Sequence, residues 1–293
     1  MSDLIKWTGS KASQADNIIQ TFPGGKIDTY WEPFIGGGSV FLALVAATST
    51  VFSSINKFYI SDYNKELIGI WKLLQSDPDR LCAAYTEHHK NHNIALDAEQ
   101  DTCLNRQHYY KKVRAAFNQT KQPEDLFFLM RTSINGLVRY NRKGEFNAAC
   151  HFSRPGMSPE DACALIKTQN SILKNLPVEI HHHSYEEIRP EKNDVVYLDP
   201  PYENTVGMYQ GGFDNNKFLD WVNSLTHTRW FLSYDGSVDG KDVVHRAPIY
   251  REKQVLYSGQ SSFRKVLNED TNVQVRESLY TGGTDHPLPP MDF

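Results

Sequence analysis

Four consecutive residues, Asp199-Pro200-Pro201-Tyr202, have the types and the placement needed to bind a flat ring that carries an amine. They follow the apolar run Val195–Leu198, which predicts a buried strand, and open α/β sheets bind ligands where strands end. Asp199 and the carbonyl of Pro200 can each accept a hydrogen bond from an amine, and Tyr202 offers a face for stacking. The two prolines could simply mark a turn, but they also stiffen the loop. The set suits an adenine extruded from a double helix.

A second candidate site is the run Gly36-Gly37-Gly38, between a predicted strand with its loop at 28–35 and a predicted helix capped by Ser39. Without side chains, a ligand can approach the backbone, and the N–H groups of the helix can meet polar groups. The dinucleotide fingerprint needs another glycine three positions after Gly38, where Phe41 stands. A dehydrogenase is therefore disfavoured.

Asp62 ends the next predicted strand, residues 58–62, at the distance from the glycines where such folds place an acid that binds ribose hydroxyls. The alternative is a cap for the helix predicted over residues 66–71. The strand before Asp62 and its spacing from the glycines favour the ribose role.

Basic residues are concentrated between Arg106 and Lys143, although the whole chain has a net charge of −4. Nine basic and two acidic residues give this run a net +7, and aromatic residues are interleaved with them. The pattern is typical of a surface that follows a nucleic-acid backbone. A solvated helix face could explain part of it.

The elements that must position these residues predict an α/β fold that is interrupted in sequence. Strand and helix alternate at the start of the chain, and strands resume near residues 178–183, 195–198 and 230–234. The intervening residues are mainly helical, with a loop-rich stretch at 132–157. We expect one domain from residues 1–65 and 167–293, with an inserted domain at 66–166. Residues 254–257 and 273–280 predict a closing antiparallel hairpin.

These motifs, in this order, resemble those of the Dam-type (D12 class, alpha group) N6-adenine-specific DNA methyltransferases. The resemblance rests on Glu32–Phe41, on Asp199–Tyr202 and on the loop Asn135–Asn141 between them. Lys6–Lys11 is similar to the family's N-terminal cofactor motif, and Asp62-Tyr63-Asn64 to its ribose-binding acid. The resemblance covers most of the chain and implies a Rossmann-like fold with an inserted, mainly helical target-recognition domain.

The resemblance also implies the roles of individual residues. S-adenosylmethionine would be the methyl donor, transferring its methyl group to N6 of a flipped-out adenine, and no metal is needed. Trp7 could otherwise be plain core and Lys11 a surface charge. The cofactor would be bound by Trp7, Lys11, Phe34, Gly36, Gly38, Asp62 and Asp199, and Asp199, Pro200, Pro201 and Tyr202 would form the catalytic loop.

Double-stranded DNA is the expected partner, with contacts from Lys6, Ile134, Asn135, Leu137, Arg139 and Asn141. In the family the counterpart of Arg139 reads a guanine, and an aromatic residue wedges between base pairs where this chain has Ile134. Members that read GATC tend to have proline where Ala148-Ala149 follows Phe146-Asn147. These departures put both the wedge and a GATC target in doubt.

Other classes are excluded or disfavoured by simple features. No apolar stretch reaches the roughly 20 residues of a membrane span, and the first residues lack a signal-peptide pattern, so we expect a cytoplasmic protein. The four cysteines have no C-x-x-C spacing, which predicts reduced thiols and no zinc site. The internal run His181-His182-His183 is read as part of a strand.

Two other functions compete with DNA methylation. A methyltransferase acting on RNA or protein could use a similar loop, and a catalytically silent protein could bind DNA. The basic run disfavours a protein substrate, and a silent protein has little need of both loops. The sequence leaves open whether the chain serves a restriction-modification system with a companion endonuclease, a phage or a host. We expect a monomer or weak dimer.

Overall fold

The computed structural model describes residues 4–48, 55–94, 102–202, 213–242, 251–260 and 274–283. Within them, eight strands form one sheet. The strands are β1 Ile27–Glu32, β2 Ile55–Asp62, β3 Val178–His182, β4 Val195–Leu198, β5 Arg229–Val238, β6 Lys241–Asp242, β7 Arg251–Gln260 and β8 Gln274–Gly282. The α-helices are α1 Ala15–Ile19, α2 Ser39–Thr48, α3 Lys65–Ser76, α4 Pro78–Asn93, α5 Thr102–Thr120, α6 Pro123–Thr132, α7 Pro159–Lys174 and α8 Asn215–Ser224.

The strand order is β3-β2-β1-β4-β5-β8-β7, with the short β6 paired to β5. The strands from β3 to β5 run parallel, while β8 pairs antiparallel to both β5 and β7. The sequence order reverses between β1 and β4, and ligands bind open α/β sheets at such a point. The predicted α/β fold is confirmed, and so is the antiparallel pairing of the last two segments.

Central strands are buried because helices or loops cover both faces, and their sequences are correspondingly apolar. All four residues of β4 are buried, and a carboxylate fixes how β4 enters the sheet. Asp194 accepts hydrogen bonds from the backbone N–H of Thr29 at 2.9 Å and from Nε1 of Trp31 at 2.8 Å. This clamp ties the start of β4 to β1, so Asp199 emerges beside the end of β1.

Helix α3 packs against β2 and β3, and helices α4 to α7 pack against it and one another in a bundle. Trp71 of α3 is fully buried, packs edge-on to Phe41 of α2 and donates from Nε1 to the carbonyl of Gly36 at 3.0 Å. Gly69 of α3 lies so close to Pro123 of α6 that a Cβ there would approach the proline ring to 2.3 Å. One hydrophobic core therefore runs from the sheet through α3 into the helices that the sequence places between residues 66 and 166.

Candidate active site

A cleft of about 870 Å³ opens where β1, β2 and β4 end. Residues 6–11 cover one side of it, and the turn at residues 135–138 closes another. The cleft is lined by the predicted residues Lys6, Trp7, Lys11, Phe34, Gly36, Gly38, Asp62, Asn135, Leu137, Asp199, Pro200, Pro201 and Tyr202. Ile134, Arg139 and Asn141 are not among the lining residues and belong to the adjoining turn and hairpin.

Asp199 is held by Lys11, which the sequence did not anticipate. The Lys11 ammonium lies 3.0 Å from Oδ1 of Asp199 and donates to the carbonyl of Gly9 at 3.1 Å. It also lies 4.8 Å from the ring centre of Tyr202, whose hydroxyl donates to the same Oδ1 at 3.4 Å. Because both partners use Oδ1, the other oxygen of Asp199 is the one that can turn toward an incoming amine.

Lys11 is only 5% exposed, so its charge depends on the carboxylates around it. Burial alone lowers the pKa of an ammonium, but Asp199, Glu277 and Asp235 outweigh it, and the net pKa of Lys11 is raised. Lys11 is therefore a permanent cation at neutral pH. Burial raises the pKa of the half-buried Asp199, and Lys11 opposes that rise.

Glu32, at the end of β1, is a second carboxyl close to Asp199. It is buried, and burial raises its pKa from 4.5 to about 8. The Tyr30 hydroxyl donates to its Oε2 at 2.5 Å. Burial thus raises the pKa of both carboxyls at the ends of these adjacent strands, and Asp199 has the Lys11 ammonium beside it to oppose the rise.

Two features of the fold explain why glycine occupies positions 36 and 38. Gly36 and Gly38 have φ of +47° and +71°, which L side chains rarely adopt. A Cβ on Gly36 would approach Trp7 to 2.8 Å, and one on Gly38 would approach Trp71 to 2.5 Å. Side chains of the protein, rather than a ligand, occupy the space that these missing Cβ atoms leave.

Asp62 supports the same loop from the end of β2. Its Oδ2 accepts from the N–H of Gly36 at 3.1 Å, and its Oδ1 accepts from the N–H of Asn64 at 2.9 Å. Asn64, not Asp62, caps α3, because its Oδ1 accepts from the N–H of Leu67. Burial raises the pKa of Asp62 from 3.8 to about 6, against the lowering effect of these hydrogen bonds.

The N-terminal segment connects the cleft to the turn beyond it. Thr8 Oγ1 accepts from the N–H of Val138 at 3.1 Å and donates to its carbonyl at 3.3 Å. The Lys6 side chain packs against Gly136, where a Cβ would approach it to 2.9 Å. Residues 6–11 therefore contact the turn, the glycine loop and Asp199 in succession.

The turn and hairpin that follow α6 hold the predicted DNA-contact residues other than Lys6. Ile134 is 36% exposed at the start of a 3-10 turn, and Asn135 has φ of +53°. Arg139 donates from Nε to Asn147 Oδ1 at 2.8 Å. Asn141 folds back onto its own turn, with Oδ1 accepting from the N–H groups of Lys143 and Glu145. In this state its side chain braces the hairpin.

The basic run is only partly available as a surface. Arg106, Arg114, Lys121, Arg131 and Arg139 each donate to a backbone carbonyl of the chain itself. The remaining four, Lys111, Lys112, Arg142 and Lys143, are exposed. The predicted net +7 thus overstates the charge that can meet a phosphate backbone.

Several cleft residues were missed by sequence reasoning. Glu32 could have been noticed, because it is a carboxylate at a predicted strand end within the motif already singled out. Thr8 and Glu277 gave no signal, since they matter only through contacts with distant parts of the chain. Such contacts are set by the fold and leave no local pattern.

The sheet order and the cleft at its reversal define a Rossmann-like methyltransferase fold. Residues 7–255 match the family described as D12 class N6 adenine-specific DNA methyltransferase. The type II methyltransferase M.MjaIII of Methanocaldococcus jannaschii is 31% identical over 95% of this chain and 88% of its own length. The DNA adenine methylase of Haemophilus influenzae is 30% identical over 68% of this chain and 63% of its own.

The chain therefore belongs to the D12 class of N6 adenine-specific DNA methyltransferases. Its substrate is DNA, and family membership implies S-adenosylmethionine as the methyl donor. In the part of the chain that the structure describes, no helix has both the length and the apolar character of a membrane span.

Proposed function

We propose that the cleft binds S-adenosylmethionine beside an adenine flipped out of duplex DNA, and that Asp199 orients the N6 amine for methyl transfer. The observation that carries the proposal is the pairing, at 3.0 Å, of the buried Lys11 with the half-buried Asp199 where β4 ends. A carboxylate with one oxygen fixed by a cation can present its other oxygen in a defined direction. The stiff Pro200-Pro201 backbone keeps that direction constant.

The chemistry needs orientation more than proton removal. Bound S-adenosylmethionine supplies an electrophilic methyl group on a sulfonium. The lone pair of N6 is delocalised into the adenine ring, so the amine is a weak nucleophile. Hydrogen bonds from N6 to Asp199 and to the carbonyl of Pro200 would draw the nitrogen toward tetrahedral geometry and stabilise the charge that develops on it. As the N–C bond forms and the C–S bond breaks, one N6 proton leaves toward solvent.

Tyr202 supplies the surface against which the base rests. Its ring packs edge-on against Tyr234 with centroids 5.6 Å apart, and Lys11 lies over the ring. Such support fixes the plane of the ring, and a stacked base is worth about 1 to 3 kcal/mol. We propose that Tyr202 holds the adenine in the plane in which Asp199 reaches N6.

The residues at the other end of the cleft fit the methyl donor. The donor carries positive charge on sulfur and on its amino group, and the carboxylates of Asp62 and Asp199 line the cleft. Asp62 has lone pairs beyond the two that accept from the loop, and these can accept from ribose hydroxyls. Phe34 offers an apolar wall, stacked on Tyr185 with centroids 5.7 Å apart. We assign donor binding to Trp7, Phe34, Gly36, Gly38 and Asp62, with Lys11 acting through Asp199.

DNA contact is proposed for the turn and hairpin beyond the cleft. Lys6, Ile134, Asn135, Leu137, Arg139 and Asn141 lie on or beside this region, which we propose as the recognition part of residues 66–166. An exposed isoleucine at a turn can part base steps as an apolar wedge. A guanidinium can bond O6 and N7 of guanine together, so Arg139 is the proposed base reader.

The orienting role is tested with Asp199→Ala. We expect it to bind S-adenosylmethionine and DNA but to transfer methyl groups at a very small fraction of the native rate, because the lost interaction strengthens as charge develops on N6. Single-turnover transfer of labelled methyl to duplex DNA measures this. The exposed helix residue Asp220 provides the control Asp220→Ala. A loss of less than about tenfold, roughly 1.4 kcal/mol, would contradict the role.

Base reading is tested with Arg139→Ala. The methylated site is first read from DNA of cells that express the protein, and duplexes with each base pair of that site replaced are then compared. We expect Arg139→Ala to lose preference at one guanine, by about 1 to 3 kcal/mol. A uniform decrease with unchanged preferences would instead indicate a phosphate contact.

A further inference from the structure

Among the residues that the structure describes, the partner of the Arg139 side chain is Asn147, across a small hairpin. The backbone N–H of Asn147 donates to the carbonyl of Arg139 at 2.9 Å, and Tyr140 and Phe146 form an antiparallel bridge between them. Nε of Arg139 donates to Asn147 Oδ1 at 2.8 Å, and Nη2 donates to the Asn147 carbonyl at 3.5 Å. Side chain and backbone of Asn147 thus contact the same edge of the guanidinium.

A guanidinium has two edges that can bond O6 and N7 of guanine together. One is the side edge, formed by Nε and Nη2, and the other is the end edge, formed by Nη1 and Nη2. Asn147 occupies the side edge. The end edge is therefore the one that Arg139 can present to a base without giving up its contact with Asn147.

We infer that Asn147 is a positioning residue that selects the end edge of Arg139 and aims it at guanine, which rests on the proposed base reading by Arg139. Arginine has many rotamers, and binding must otherwise fix them at an entropic cost. An arginine held before DNA arrives avoids that cost. It also meets a guanine in one geometry, so a base with a different pattern of acceptors finds no matching donors.

The hairpin has other supports, so this role can be separated from folding. Asn118 of α5 accepts from the N–H of Phe146 at 2.8 Å and donates to its carbonyl at 3.1 Å. Tyr110 and Arg114 donate to the carbonyl of Ala148 at 3.2 and 3.1 Å. These contacts fix the strand that carries Asn147 through its backbone and leave its side chain to Arg139.

The test compares Asn147→Leu, which removes the acceptor, with Asn147→Asp, which keeps it. The readout is the ratio of kcat/KM on duplexes that retain or replace the guanine identified with Arg139→Ala. We expect Asn147→Leu to lower this ratio at least about tenfold, within the range that one bidentate contact supplies. Asn147→Asp should retain the ratio, because a carboxylate accepts from Nε at least as well.

The matched control is Asn118→Ala, which removes a brace of the same hairpin without touching Arg139. We expect it to lower thermal stability and to leave the guanine ratio within about twofold of the native value, because Arg139 keeps its partner. If Asn118→Ala lowers the ratio as much as Asn147→Leu does, Asn147 acts only through hairpin stability and the inference is overturned. The inference is also overturned if Asn147→Leu keeps the native ratio of kcat/KM for the guanine. If Arg139→Ala itself loses no preference, the failure lies with the proposed base reading.

Discussion

Asp62 carries a carboxylate whose ionisation falls within an accessible pH range. Burial raises its pKa to about 6 in the protein without ligand, whereas its ordinary value is 3.8. Ribose hydroxyls bind best to the ionised form, which accepts hydrogen bonds on both oxygens. We therefore expect full affinity for S-adenosylmethionine above about pH 6 and a loss approaching tenfold per pH unit below it.

The matched variant for this prediction is Asp62→Asn, which keeps one carbonyl acceptor and cannot ionise. Calorimetric titration with S-adenosylmethionine at several pH values should give weaker binding that stays flat where the native profile bends. Any titration of the ligand itself appears equally in both profiles. Parallel curves for the two proteins would show that Asp62 does not bind the donor.

Residue types in the motifs were sufficient to find most of the cleft from sequence. Asp199, Tyr202 and Asp62 were predicted from their places at strand ends, and all three line one cleft. The pairing of Lys11 with Asp199 was not predicted. These residues are 188 positions apart, and the sequence predicted a fold class without showing which distant side chains meet. The hydrogen bond between Arg139 and Asn147 was not predicted either, because it depends on the register of a hairpin.

At the scale of a single helix, the basic residues of α5 divide into those that are free to meet DNA phosphates and those that bond to the protein itself. Lys111 and Lys112 are exposed, while Arg106 and Arg114 donate to carbonyls of residues 152 and 148. Each phosphate contact contributes about −0.9 to the slope of log affinity against log salt. We expect Lys111→Gln with Lys112→Gln to reduce that slope by about two in filter-binding or anisotropy titrations.

The opposite result is expected for Arg106→Gln with Arg114→Gln. These changes remove hydrogen bonds to the carbonyls of Ala148 and Phe152, which hold the hairpin strand and the residues after it, so they should lower thermal stability and leave the salt slope nearly unchanged. Equal slopes in the two double variants would mean that exposure of α5 does not decide which of its cations meet phosphate.

The apolar centres of strands and helices were predicted better than the residues at which these elements end or the residues that they contact. The strand at Val195–Leu198 was predicted with its observed bounds, because a run buried on both faces is apolar throughout. The strand that begins at Arg229 extends four residues beyond its predicted end, to Val238, since the added residues Asp235-Gly236-Ser237 are polar or glycine and give no strand pattern. The positive charge of α5 was predicted from sequence. Which of its basic side chains face solvent was not, because sequence does not show which of them bond to the protein itself.

At the scale of the whole molecule, the continuous core predicts that the sheet and the helical bundle unfold together. Trp71, Phe41 and Phe127 belong to one buried cluster that spans the sheet, α2, α3 and α6. Native-state hydrogen exchange in mild denaturant should give α4, α6, β1 and β4 the same opening free energy and the same denaturant dependence. A bundle that opens at lower free energy than the sheet would show that residues 66–166 are an independent unit.

The pairing of β1 with β4 also sets an order in time. The hydrogen bond from Thr29 to Asp194 spans 165 residues. The pairing of β1 with β4 is therefore delayed until the intervening chain has been synthesised. At about 5 to 20 residues per second, that wait is roughly 8 to 33 seconds. During it, the edge of β1 that will meet β4 is open to pairing with other chains. The glycine loop and Asp62 thus leave the ribosome long before Asp199, and the cleft is complete only when the last central strands have joined.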